Sequence, residues 1–176
     1  MCPVRRPPAT FRRTLNALRS LETAVLGTEG IEGIALRYGG FYGPATSIGR
    51  GGALLDAVRR RQLPIIGPGT GMWSFVHIAD AAAATLAALE RGVPGIYNVA
   101  DDEPAPVRDW LPALAAALAA PRPRRVPRWL ARMLIGEHVI VLMNEIRAMS
   151  NDKAKTALGW RPRYPSWRTG FIDGLG

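Results

Sequence analysis

The stretch "WSFVHIADAAAATLAAL", Trp73 to Leu89, decides how this sequence folds. Its first part alternates large apolar residues around a histidine, and its second part is an alanine-rich run. The apolar period changes from two to about 3.6 at Asp80, so the stretch reads as a strand running into a helix. Asp80 is expected to be the N-cap, its carboxylate accepting a backbone N–H that the first helical turn leaves without a partner.

Similar punctuation recurs outward from this unit. Leu15, Leu18, Leu21 and Val25 fall at helical spacing until Gly27 and predict one amphipathic helix from about Thr10, behind a Pro- and Arg-rich lead, residues 1–10, expected to be disordered. Ile34 to Leu36 reads as a short buried strand feeding the glycine-rich "RYGGFYGP". A second helix is expected over about Gly52 to Arg61, followed by a brief strand at Pro64 to Ile66. Beyond the opening stretch, Ile96 to Val99 reads as a strand, and helices are expected over Val107 to Ala119, Trp129 to Leu134 and Val139 to Met149. Strands alternating with helices predict an α/β chain with parallel pairing.

With 176 residues, 48% of them hydrophobic, the chain is long enough for one domain with a core. A net charge of +9 raises nucleic acid as a partner, because a basic surface concentrates polyanions. Of the 23 basic residues, though, only Lys153 and Lys155 are lysines, and the arginines scatter except around Arg59 to Arg61 and Arg122 to Arg132. Charge runs are usually solvated faces, so nucleic acid is not the expected partner. Cys2 is the only cysteine, which excludes an internal disulfide and a thiolate metal site and favours a cytoplasmic location. No membrane span or secretion signal is readable. His77 and His138 lack ligand-spaced neighbours, so no metal site is expected. The consecutive Asp101, Asp102 and Glu103 read as a solvated acidic turn.

Four stretches in order, "LRYGGFYGP", "WSFVHIADAAAATLAAL", "GIYNVADDEP" and "KAKTALGWRP", resemble the C-terminal half of the extended short-chain dehydrogenase/reductase family, the NAD-dependent epimerases and dehydratases. The resemblance implies an α/β fold: the C-terminal part of a Rossmann-type parallel sheet, with a smaller, mainly helical substrate-binding lobe. It divides the chain into residues 11–100, half of an NAD(P)-binding domain, and residues 101–176, the substrate lobe with the C-terminal helices. It implies NAD or NADP as cofactor and a small-molecule substrate bearing a hydroxyl or carbonyl. Tyr38, Gly39, Gly40 and Phe41 become the nicotinamide-facing segment, the glycines letting backbone approach a planar ligand. Trp73, Ser74 and His77 become candidate substrate residues, although His77 also fits a hydrogen-bonded histidine in a half-buried strand. Lys153 and Lys155 fall in a segment expected to pack Leu158 and Trp160 under the substrate lobe.

Two family signatures are missing. No GxGxxG occurs, and "GTEGIEG", Gly27 to Gly33, ends a helix and enters a strand, the reverse of the order a phosphate loop requires; "GRGG", Gly49 to Gly52, follows a loop. The family's Tyr-Lys pair aligns with Thr14 and Leu18, neither of which can exchange a proton as a phenolate does, so no catalytic residue is assigned. Where many nucleotide-sugar members carry asparagine and arginine, Gly40 and Trp73 stand, which favours a small neutral or apolar substrate. The chain is expected to be part of a longer protein, inactive alone, with either a missing N-terminal half or self-association covering an unpaired sheet edge. A non-catalytic NAD(P)-sensing or protein-interaction module of the same fold is the alternative.

Overall fold

A computed structural model describes residues 9–134 and 136–176. Helix α1, Ala9–Gly27, leads into β1, Ile34–Tyr38, and β2, Gly40–Tyr42. Helix α2, Ala53–Arg59, and three short strands follow: β3, Ile65–Ile66, β4, Met72–Trp73, and β5, Phe75–His77. Helix α3, Ile78–Arg91, then β6, Gly95–Val99, β7, Ala105–Pro106, and α4, Val107–Ala117, complete the middle of the chain. The last part holds β8, Arg125–Val126, and helices α5, Arg128–Leu134, α6, Glu137–Asn144, α7, Asp152–Leu158, and α8, Trp167–Asp173. The fold is α/β, as the alternation predicts. Of the expected disordered lead, residues 1–8 lie outside the described residues, and Ala9 and Thr10 already belong to α1.

Parallel pairing dominates. β1 pairs with β6 from Ile34 opposite Gly95 to Tyr38 opposite Val99, and β2 pairs with β5 from Gly40 opposite Phe75 to Tyr42 opposite His77. β3 pairs in parallel with β8, while β4 and β7 run antiparallel. The run from Ile34 to Tyr42 therefore changes partner at Gly39, whose N–H donates to Val99 O at 2.9 Å, while the next N–H, of Gly40, donates to Ser74 O at 2.8 Å.

Strand β5 separates two cores because successive side chains point to opposite faces. Phe75 joins Tyr42, Leu55, Ile65, Trp110, Leu111, Trp167 and Phe171 on one side. Val76 joins Ala81, Ala84, Ala88, Tyr97, Leu158 and Trp160 on the other. Each fully buried phenylalanine or leucine here contributes about 1.5–3 kcal/mol of transfer free energy. The alanines of α3 keep that helix close to its neighbours. Leu158 and Trp160 thus pack beneath α3 and β6, not beneath the second lobe as expected, because α7 returns to the first part of the chain.

The start of α3 corrects the expected cap. His77 is the N-cap, its Nδ1 accepting the Ala79 N–H at 3.2 Å, and the helix begins at Ile78. Asp80 lies in the first turn and is buried, and its two carboxylate oxygens accept the backbone N–H groups of Arg163 and Tyr164 at 2.8 and 2.9 Å. Its backbone carbonyl also accepts the Trp160 indole N–H at 3.1 Å. The carboxylate expected to cap a helix instead fastens the segment after α7.

Two further expectations are revised. α1 lies along β1 with Leu15 and Val25 half-buried, but Leu18 is 51% and Leu21 61% exposed, so most of its apolar face is open. α6 ends at Asn144 rather than Met149, where the Asn144 side chain donates back to Ile140 O and accepts the Gly69 N–H. The following residues run alongside β4 and β5, with Met72 N–H on Ile146 O and Met149 N–H on Ser74 Oγ. No helix among the described residues is long and apolar enough to cross a membrane.

Candidate functional site

The change of ladder at Gly39 explains that glycine from inside the protein. A Cβ there would stand 2.7 Å from Ser74 O and 3.0 Å from Phe75 C, so the missing side chain permits the close approach of β5. Gly40 differs. A Cβ there would meet only side-chain atoms at ordinary contact, Phe75 Cδ1 at 3.5 Å and Trp73 Cε3 at 3.7 Å. A methyl group there would sit in ordinary contact with the Phe75 and Trp73 rings. On the flanks, Tyr38 bonds Thr85 Oγ1 of α3 at 2.6 Å, and its ring lies 5.3 Å from that of Phe41, which is 40% exposed.

Trp73 is half-buried and fixed. Its indole N–H donates to Leu142 O of α6 at 2.9 Å, and its ring stands 6.0 Å from Phe75 and 5.2 Å from Trp110. Gly40 and Trp73, proposed from separate stretches, are therefore neighbours, a Cβ on Gly40 reaching within 3.7 Å of the indole. Ser74 is buried, with its Oγ taken by Met149 N–H at 3.1 Å. His77 is 5% exposed with both ring nitrogens engaged, Nδ1 accepting from Ala79 and Nε2 bonded to Gly174 O at 3.0 Å, and its ring lies 4.1 Å from Tyr164. That assigns the Nε2–H tautomer and makes His77 a clamp on the C-terminal segment, the hydrogen-bonded alternative. Thr14 and Leu18 are exposed on α1.

The acidic loop after β6 is not a solvated turn. Asp101 is 2% exposed, Asp102 pairs with Lys155 and accepts from Asn151 at 2.6 Å, and Glu103 accepts from Arg168 and Ser166, both at 2.5 Å. Burial pushes the Asp101 carboxyl up to about 7, against the pull of the Glu103, Phe75 and Trp167 backbone amides. Its Oδ2 and the Tyr42 hydroxyl are both buried without a hydrogen-bond partner, and burial, with the charges of Asp101 and Asp80, raises the Tyr42 phenol far above its ordinary value. Three adjacent acids gave no local signal of this, because the side-chain partners of Asp102 and Glu103 lie about 50 or more residues away. Among the described residues no three His, Cys, Asp or Glu side chains gather as a metal site.

The family model for the NAD dependent epimerase/dehydratase family matches residues 4–100. The chain belongs to that family. It is 42% identical over 170 residues to the 3-diazoavenalumate denitrifying reductase of a Streptomyces species, covering 97% of this chain and 54% of that protein. Among solved structures, the dTDP-glucose 4,6-dehydratase DesIV of Streptomyces venezuelae, with NAD bound, superposes with a TM-score of 0.70 at 20% identity, over 97% of this chain and 51% of that one. The human epimerase family protein SDR39U1 with NADPH gives 0.66 at 21% identity, over 81% and 48%. The chain thus spans about half the length of the relatives it matches.

Proposed function

We propose that this chain supplies the nicotinamide- and substrate-facing half of an NAD(P)-dependent reductase that acts on a small hydroxyl- or carbonyl-bearing substrate. The observation that carries the reading is the pairing of β2 with β5, Gly40 opposite Phe75 with its N–H on Ser74 O, which sets the expected cofactor-facing segment beside the expected substrate-facing strand. The 42% identity to a reductase supports the reaction class. The residues present fit the nicotinamide end of NAD or NADP: a side-chain-free backbone at Gly40, flanked by the partly exposed ring of Phe41. They do not fit the pyrophosphate end, since no GxGxxG occurs in these residues. Bound there, the cofactor supplies a hydride. Tyr38 and Phe41 would hold the ring plane, and Trp73, backed by the buried ring of Phe75, would orient the substrate and exclude water. With no arginine fork at position 73, a small neutral or apolar substrate fits better than a nucleotide sugar. The exposed face of α1 and the outer edge of β1, which has no strand partner among the described residues, are where the rest of a longer protein would pack; self-association could use the same surface.

The second reading, a non-catalytic NAD(P)-sensing module, is favoured by Thr14 and Leu18 on α1. One experiment separates the two. The N-terminal, phosphate-binding half of the reductase relative is fused ahead of residue 9, and the chimera is tested for NAD(P)H binding and for NAD(P)H oxidation with a panel of small carbonyl compounds. Binding with turnover supports the reductase. Binding without turnover supports the sensor, and a folded chimera that binds neither cofactor refutes both.

A further inference from the structure

Helix α5 carries an unusual surface. Trp129 is 68% and Met133 78% exposed, one turn apart on the same side of the helix, while Ala131 between them is fully buried. Large apolar side chains left together in water mark binding surfaces more often than chance placement does. Arg128 and Arg132, also one turn apart, bracket Trp129, and these three residues line an open groove of about 410 Å³. Arg128 is held in place by Glu145 at 2.5 Å. Arg132 makes no ion pair with any described residue, and neither do Arg124 and Arg125, which immediately precede α5 in the chain. The groove therefore offers one flat apolar ring, one free guanidinium and a positive surrounding field.

We propose that this groove binds a planar organic carboxylate, an aromatic or conjugated acid, with its ring on the face of Trp129 and its carboxylate on the Arg132 guanidinium. The planar fork of arginine matches a carboxylate with two parallel hydrogen bonds, and an indole face prefers a flat partner. A nucleic-acid strand would also stack on Trp129, but its phosphates would have to face the Glu145 carboxylate paired with Arg128. The groove is lined by none of Tyr38, Gly39, Gly40, Phe41 and Trp73, so the proposal goes beyond the reductase reading and does not depend on it.

The test uses the 176-residue chain and trans-cinnamate as the probe, followed through the Trp129 indole N–H resonance assigned with Trp129→Phe. The expected result is a saturable shift, an affinity about tenfold or more weaker for the uncharged cinnamyl alcohol, a similar loss in Arg132→Gln and a smaller one in Arg132→Lys, which keeps the charge without the fork. Trp129→Ala should weaken binding as well, while Arg161→Gln should not. The proposal is overturned if cinnamate gives no shift, or if the alcohol binds as well as the acid. It is also overturned if an oligothymidylate binds this face with steep salt dependence while cinnamate does not. Should a variant fail to fold, the comparison of acid with alcohol on the unaltered chain still decides.

Discussion

Replacing Asp101 with asparagine should change how stability depends on pH. Burial raises this carboxyl from 3.8 to about 7, so the folded chain keeps a proton that the unfolded chain releases. The stabilisation from that proton is complete below about pH 4, declines as pH rises through about 7 and is absent above it. The rise corresponds to at most about 4 kcal/mol, and relaxation around the ionised carboxylate brings the working figure to about 2–4 kcal/mol. Asparagine keeps the shape without the charge. The stability of Asp101→Asn relative to the parent should therefore swing in the variant's favour by that amount between about pH 4.5 and pH 8. At the acid end the variant should be the less stable by about 1 kcal/mol, because its amide nitrogen replaces an Oδ2 that has no hydrogen-bond partner. Despite their own burial, Asp102 is held low by Lys155 and Asn151, and Glu103 by Ser166 and Arg168, in both proteins, so these groups cancel in the difference. The assay is urea unfolding followed by circular dichroism at closely spaced pH values. Parallel stability curves for the two proteins would refute the reasoning.

The two adjacent glycines should respond differently to the same substitution. Gly39→Ala forces a methyl group against the Ser74 carbonyl and should cost about 1–3 kcal/mol, whereas Gly40→Ala should cost less than about 1 kcal/mol; equal losses in denaturant titration would contradict the packing described. Asp80→Ala strands the Arg163 and Tyr164 amides and should cost about 2–4 kcal/mol, with faster hydrogen exchange at both; unchanged exchange would show that Asp80 does not fasten that segment. His77→Ala should increase proteolysis of the segment after Ser166 before the core around Trp110 opens, and cleavage patterns matching the parent would remove its role as a clamp.

The fold was legible where period and punctuation coincide. Residues 73–89 show the switch from strand to helix, and α3 and α4 end within two residues of their expected stops. What escaped was set by distant partners. Asp80 looks like a cap, but its acceptors are claimed by amides 83 and 84 residues away, and no local rule ranks those above the helix terminus. Asp101 reads as exposed because its neighbours are acidic, and only the docking of α7 and α8 supplies the Lys155 and Arg168 partners that let the loop fold inward. Strands β7 and β8 are two residues each, too short to show a period, whereas β3 falls within the strand expected at Pro64 to Ile66. At the site, Gly40 and Trp73 were singled out by the family resemblance alone, while the fixing of Trp73 by Leu142 and the capping role of His77 had no readable signal.

The most direct test of the central claim is a crystal structure of the phosphate-loop chimera with NADP or NAD bound. The account predicts the nicotinamide ring within about 4 Å of the backbone between Tyr38 and Phe41, with Trp73 facing the open side of the ring. A cofactor bound with its nicotinamide away from this segment would contradict it.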